Sequence, residues 1–392
     1  MCKEPLSREL RAQQALLIVL IKKSHDGMLL VLFVGLCDSI GSDQLMGGFA
    51  FLHNRRPILR ARVEVENRLR WLCVVAFESI PFSVRKFDGI FDFESEHLWH
   101  ENSYIGVEKY VYSITLYVNQ KNEVERVVVI DNHAALDGRS IMALFCDLDD
   151  FLEPYKYFDA RDIESFFDST GSCLPSAGHL GAESTPQGAG DPQKWLVEKI
   201  APVFQRRRHV ILRLLSPEIV AYFVLFNRRE QVSLAKIYYA MALFAAQGLP
   251  TYPGTAEVTF SIDSGALCGP PNGLDVAGTY SAMANSHTSI EVRLGGLIDP
   301  SRNLQEQLIL SLSNRAPFAI SFDSGCQLSD VVEFTFYVIA QSPIFSFGMI
   351  VHKHAVHPLM VITCATSQHA EFVFGCFETL NSHDGASHFV VR

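Results

Sequence analysis

No apolar run in this 392-residue chain approaches the roughly 20 residues a helix needs to cross a bilayer. Ala15 to Ile21 is apolar for seven residues before Lys22 and Lys23 stop it, and the run from Met28 to Leu36 is also too short. The charged residues ahead of Ala15 do not build a cleavable signal, so the sequence places the protein in the cytoplasm, without a transmembrane segment. Positive charge is in short supply: 33 Lys and Arg stand against 43 Asp and Glu, a formal net charge of −10. Phosphate recognition needs a basic face, so a nucleic-acid surface is excluded. The one cationic run, Arg206 to His209, reads as a solvated stretch flanking a strand. The nine cysteines contain no Cys-x-x-Cys pair and are odd in number, the pattern of reduced thiols acting as small apolar side chains. The glycines between Gly181 and Gly190 lack the Gly-x-x-x-x-Gly-Lys-Ser/Thr spacing of a phosphate loop. No internal repeat of fixed period is present.

What the chain has is apolar bulk: 48% hydrophobic and 19% charged residues describe a well-buried globular protein, long enough for two lobes. From Asp168 to Gln193 the composition turns to Ser, Gly, Pro and Ala. That stretch reads as a linker, giving an N-terminal lobe over 1–168, a linker over 169–193 and a C-terminal lobe over 194–392.

The most informative stretch runs from Val127 to Ser140. Val127 to Ile130 is β-branched at every position, the mark of a strand covered on both faces. Beyond it Ile141, Leu144, Phe145, Leu148, Phe151 and Leu152 recur at helical spacing. His133 stands at the junction, where an imidazole can reach a cleft from a rigid element and take a proton near neutral pH. Asp137 lies four residues on, where a carboxylate can bind backbone amides or an arginine and hold the turn, and Gly138 permits a sharp turn or a close approach.

Elsewhere, Asp26-Gly27 between two apolar runs reads as a hairpin. Ser42 is placed to cap a helix carrying Leu45, Phe49 and Leu52, with Gly47-Gly48 as a weak point or a close packing contact. Strands are expected near 60–66, 70–77 and 113–118, the last in a hairpin with 125–130 across Asn119 to Asn122. In the C-terminal half, Ser216-Pro217 opens a helix to about Asn227, Ser233 opens a buried one to Gln247, and a third runs from Ser301 to about Asn314. Strands are expected at 257–262, 289–293, 332–339, 346–351, 360–363 and 371–378. His352, His354 and His357 are spaced as zinc ligands can be, but no Cys or carboxylate completes a set, and alternate strand positions explain them; no metal site is expected.

Three segments carry a resemblance. Asn132-His133-Ala134-Ala135-Leu136-Asp137-Gly138 resembles the His-His-x-x-x-Asp-Gly signature of the chloramphenicol-acetyltransferase-like acyltransferases, among them polyketide-associated acyltransferases, alcohol acetyltransferases and condensation domains. Phe51 to Val63 is similar to the family's "R-H-P-x-L-R-A-x-V" segment, in which a helix gives way to a strand. Asp263 to Pro271, followed by Ala277 to Ser281, is similar to a "D-L-R-P-R-L-x-P-P" segment and the strand after it. The resemblance implies an α/β fold of two such lobes, each a mixed β-sheet flanked by helices, with the active-site channel between them. It implies His133 as catalytic base, Asp137 and Gly138 as structural residues of the site, and Asn132, Ser140, Tyr280 and Ser281, with Asn285, as polar residues near the cleft.

The implied reaction moves an acyl group from acyl-CoA, a co-substrate and not a bound cofactor, to a small or lipidic alcohol or amine. A donor tethered to an acyl carrier protein is the alternative. Two departures stand out: Asn132 replaces the first histidine, and Gly265 stands where the family's arginine pairs with the motif aspartate. Either another arginine holds Asp137, or the site is looser than in its relatives, or the enzyme is impaired; both departures also support a further reading, a degenerate member that only binds a partner or an apolar ligand.

Overall fold

A computed structural model describes residues 7–9, 29–66, 69–74, 82–89, 91–92, 95–96, 99–100, 110–132, 135–152, 208–247, 256–263, 281–288, 296, 298–313, 332–338, 345–353, 359–365 and 370–377. In chain order these form β1 (Ser7–Glu9), β2 (Leu29–Gly41), α1 (Ser42–Arg55), a 3₁₀ turn (Pro57–Arg60), β3 (Ala61–Glu66), β4 (Leu69–Val74), β5 (Phe82–Lys86), β6 (Tyr112–Val118), β7 (Glu123–Asn132) and α2 (Gly138–Leu152). There follow β8 (Arg208–Leu214), α3 (Pro217–Glu230), α4 (Leu234–Gln247), β9 (Ala256–Asp263), β10 (Ser281–Thr288), α5 (Ile298–Ser313), β11 (Val332–Val338), β12 (Phe345–Lys353), β13 (Leu359–Ala365) and β14 (Ala370–Phe377).

The chain divides into two compact units, one of residues 1–173, 264–280 and 339–354, the other of 174–263, 281–338 and 355–392. Two stretches that a single cut at the linker would leave in the C-terminal half therefore cluster with the first unit. For the second of them the reason is a hydrogen-bond ladder: β12 pairs antiparallel with β2, Phe345 opposite Leu36 and Lys353 opposite Leu29. The linker 169–193 itself lies outside the described residues.

The first unit is built on a five-stranded mixed sheet in the order β12-β2-β7-β6-β5. Its ladders are antiparallel except for β5 against β6. A smaller antiparallel sheet, β1-β4-β3, completes the described strands of this unit. The β6–β7 hairpin turns across Asn119 to Asn122. Asn122 takes φ 68°, a left-handed conformation that asparagine tolerates, and Asn119 Oδ1 accepts the amides of Lys121 and Glu123 at 2.9 and 3.0 Å.

The period of two sorts β7 into faces. Val128 and Ile130 pack with Val31, Phe33 and Tyr117 on one side, backed by Phe87 and Phe91. There Tyr117 donates its hydroxyl to Glu96, His100 Nε2 lies 2.9 Å from the same oxygen, and Arg85 reaches Glu96 at 2.7 Å while its guanidinium covers the Trp99 ring at 4.1 Å. The cluster pins the chain after β5 against the sheet. On the other side Val127, Val129 and Asp131 share a face with Leu116, Ile114 and Tyr112, their register partners. Aromatic contacts of Phe49 with Phe82 and of His53 with Tyr112 set α1 on that face.

Helix α1 begins one residue earlier than a Ser42 cap would have it. Gly41 is the cap position, without a side-chain bond, and Ser42 is a buried helical residue. The strand runs to Gly41 and feeds directly into the helix, so the serine is drawn into the first turn. The Gly47-Gly48 pair is split in role. A Cβ on Gly48 would collide with Leu148 Cδ1 and stand 3.3 Å from Phe151, whereas a Cβ on Gly47 would meet nothing within 4 Å. Gly48→Ala is expected to lower stability by roughly 1–3 kcal/mol through overpacking. Gly47→Ala is expected to raise it by up to about 1 kcal/mol, since alanine is the better helix former. Thermal unfolding of the two variants side by side checks both signs.

The second unit carries a six-stranded mixed sheet in the order β10-β9-β11-β13-β14-β8. Its α3 starts as the sequence implies: Ser216 Oγ accepts the Ile219 amide at 3.4 Å with Pro217 in the first turn, and the helix ends on Gln231 in a left-handed conformation. In α4, Lys236, Ile237, Tyr238, Tyr239 and Ala240 are buried in succession, so this part of the helix is enclosed on every face. Ser301 of α5 ties the two helices by donating to the Lys236 carbonyl at 3.2 Å. The α/β class with mixed sheets flanked by helices, expected from the resemblance, is the fold of the chain.

Candidate active site

Both sides of the motif are held by backbone hydrogen bonds. Strand β7 ends at Asn132, which is buried and donates its amide to the Val111 carbonyl at 2.8 Å. Its own carbonyl accepts the amides of Ala135 at 2.8 Å and Leu136 at 3.3 Å, so the chain beyond the strand is drawn back over the strand end. His133 and Ala134 lie outside the described residues.

Asp137 then starts α2. Its Oδ1 accepts the Ser140 amide at 2.8 Å and its carbonyl accepts the Ile141 amide at 3.0 Å, which is N-cap geometry. Asp137, Gly138 and Ser140 are all buried. The carboxylate thus has a backbone partner within its own turn. The family's arginine position, Gly265, lies outside the described residues.

Helix α2 is anchored from behind. Arg56, buried at the end of α1, reaches Asp147 Oδ2 with Nη2 at 2.6 Å and Nε at 2.8 Å, and Arg55 lies 3.8 Å from the same oxygen. Together with the close approach at Gly48 this fixes α2 on α1. Removing one partner of an enclosed ion pair strands the other charge, at a cost of about 3–5 kcal/mol when fully buried. Arg56→Met is therefore expected to cost about 2–4 kcal/mol, Asp147 keeping some solvent contact, and denaturant unfolding checks it.

Of the other polar residues named from the sequence, Ser281 is the first residue of β10, opposite Asp263, and Asn285 sits opposite Thr259, both in the second unit. Tyr280 lies outside the described residues. His352 is in β12 opposite Leu30, and His354 and His357 lie outside the described residues. Among the described residues no helix is long and apolar enough to cross a membrane.

Two titratable groups next to the motif were not singled out from the sequence. His53, in the Phe51 to Val63 segment, is buried, and burial first, then the charge of Arg60, lowers its pKa to about 4, leaving a neutral imidazole. Asp131, one residue before the strand end, is fully enclosed. Burial first and the charge of Asp137 second raise its pKa well above the ordinary aspartate value, against an opposing pull from the Asn132 amide. The signal for Asp131 was present: at a spacing of two it continues the face of Val127 and Val129, so an acid was being read into a buried row.

No protein-family model matches the chain, and no curated protein matches it. Solved structures do. Polyketide synthase associated protein 5 from Mycobacterium tuberculosis is 14% identical, with 97% of this chain and 95% of that one covered at a TM-score of 0.68. The first condensation domain of the CDA synthetase is 13% identical over 95% and 90%, TM-score 0.69. The epimerization domain from the third module of tyrocidine synthetase B is 11% identical over 98% and 94%, TM-score 0.72. At such identities the likeness is one of fold: the chain has the fold shared by these condensation and epimerization domains and the polyketide synthase associated protein.

Proposed function

We propose that the chain transfers an acyl group from a thioester to an alcohol or amine, with His133 as general base. The observation that carries this reading is the setting of the motif: a strand end at Asn132 stands immediately before the two-residue segment that contains His133, and a helix cap at Asp137 follows two residues beyond that segment, both bound through backbone amides. Such a frame suits a group that must meet a substrate in one orientation.

In the proposed reaction the acceptor's oxygen or nitrogen attacks the thioester carbonyl as His133 takes its proton. The tetrahedral intermediate then expels the thiolate, the carbon–sulfur bond breaks, and the proton passes from His133 to sulfur. No acyl-enzyme is needed. General-base catalysis of this kind contributes about 100- to 10,000-fold.

The donor is acyl-CoA in this reading. A carrier-tethered thioester is the second reading, and it is favoured by the solved structures of like fold that are themselves synthetase domains, among them a four-domain nonribosomal peptide synthetase and a cyclization-docking bidomain. Release of free thiol from a panel of acyl-CoA donors with small alcohols and amines tests the first. Acyl transfer from acylated carrier proteins tests the second. Turnover in neither arm overturns the enzyme and leaves a binding protein of the same fold, the reading that Asn132 and Gly265 support.

A further inference from the structure

Asp131 is 0% exposed, and neither of its carboxyl oxygens has a hydrogen-bond partner among the described residues. Buried polar groups are almost always satisfied, so an orphaned acid beside a motif calls for a reason. The groups around it are few. Across the ladder stands Tyr112 of β6, buried, with its hydroxyl likewise unmatched among the described residues. Behind Tyr112 lies the uncharged His53 of α1, ring centroids 5.2 Å apart, with Arg60 acting on that imidazole. From the head of α2 comes Asp137, whose charge acts on Asp131; the register partner from β2 is Leu30, which brings none. Among the described residues no cation acts on it. An ionised carboxylate here would be stripped of water, with only the pull of the Asn132 amide in its favour, and would stand beside a like charge.

We infer that Asp131 is a positioning residue that keeps its proton at neutral pH, and that this proton is what lets the end of β7 and the head of α2 meet at the motif. Asp137, unlike Asp131, has a backbone partner, its Oδ1 accepting the Ser140 amide. The motif is thereby sensitive to alkali: loss of the Asp131 proton sets two enclosed negative charges together and loosens the frame around residues 133 and 134. The inference is independent of any reaction at His133.

The sign of the pH effect follows from linkage. Asp131 holds its proton more tightly folded than unfolded, so its contribution to stability is fully present below the ordinary carboxylate pKa and is lost as pH rises through the folded value. Within that window each pH unit shifts the folding equilibrium about tenfold toward the unfolded chain. Asp131→Asn keeps the shape and removes the titration. Thermal and denaturant unfolding of wild type and variant from about pH 5 to about pH 9 is the test, because every other titrating group is common to both.

The expected result is a stability gap in favour of Asp131→Asn that widens with pH, toward a tenfold difference in folding constant per unit. Parallel curves, or a variant that falls behind as pH rises, overturn the inference. If Asp131→Asn does not fold, the wild-type infrared spectrum at neutral pH decides alone: a carboxylic-acid carbonyl band, lost on unfolding, supports the protonated acid, and its absence overturns it. Neither readout involves substrate, so neither is touched by the outcome of the thiol-release assay.

Discussion

His133→Ala is expected to lower acyl transfer by about 100- to 10,000-fold with almost no change in thermal midpoint, because removing a general base takes away that share of the rate. The second half of the expectation comes from the frame. The bonds that hold the motif run from the Ala135 and Leu136 amides to the Asn132 carbonyl, from the Asn132 amide to Val111, and from the Ser140 amide to Asp137. None of them uses the His133 side chain. A transfer assay under single-turnover conditions, with acyl-CoA and carrier-tethered donors in parallel, reads the rate, and calorimetry reads the midpoint. Loss of activity with an unchanged midpoint marks a residue that acts on substrate. Equal activity in wild type and variant would remove His133 from the chemistry and with it the proposed reaction. A large fall in midpoint would instead make the histidine part of the scaffold.

Much of the frame was legible from local pattern, and the reasons differ by element. The β7–α2 junction was readable because the period changes from two to 3.6 within a few residues and the β-branched run has no helical alternative. The α3 start was readable because Ser216-Pro217 satisfies one orphan amide and supplies a preset φ. Strand β10 was not: five of the eight residues from Ser281 to Thr288 are Ser, Ala or Asn, which do not favour strands, and it is a strand because β9 pairs along its whole length, from Ser281 opposite Asp263 to Thr288 opposite Ala256. The expected strand at 289–293 lies outside the described residues. The place of β12 in the first unit's sheet was also out of reach, since a ladder between residues 29–36 and 345–353 leaves no trace in either segment alone. At the motif, the periodicity placed Asp131 in a buried row. That neither of its oxygens makes a full hydrogen bond among the described residues could be known only once Tyr112, Asp137 and the head of α2 had been brought around it.

Replacing Asp137 separates scaffold from chemistry at the same motif. Asp137→Ala removes the cap of α2 and leaves the Ser140 amide buried without its acceptor. Loss of a cap costs about 1 kcal/mol and a stranded buried donor about 1–3 kcal/mol, so a fall of roughly 2–4 kcal/mol is expected, with a parallel loss of transfer activity as the turn loosens. Asp137→Asn keeps an oxygen for the Ser140 amide and should recover most of the stability. It also removes the negative charge that is the second cause of Asp131's tight proton. The folded pKa of Asp131 should then fall toward the ordinary range, and the alkaline decline in stability should end at a lower pH than in wild type. Activity in Asp137→Asn completes the assignment. Recovery along with stability makes Asp137 a residue that shapes the site, whereas a stable Asp137→Asn that turns over no faster than His133→Ala would place its carboxylate in contact with the reacting groups.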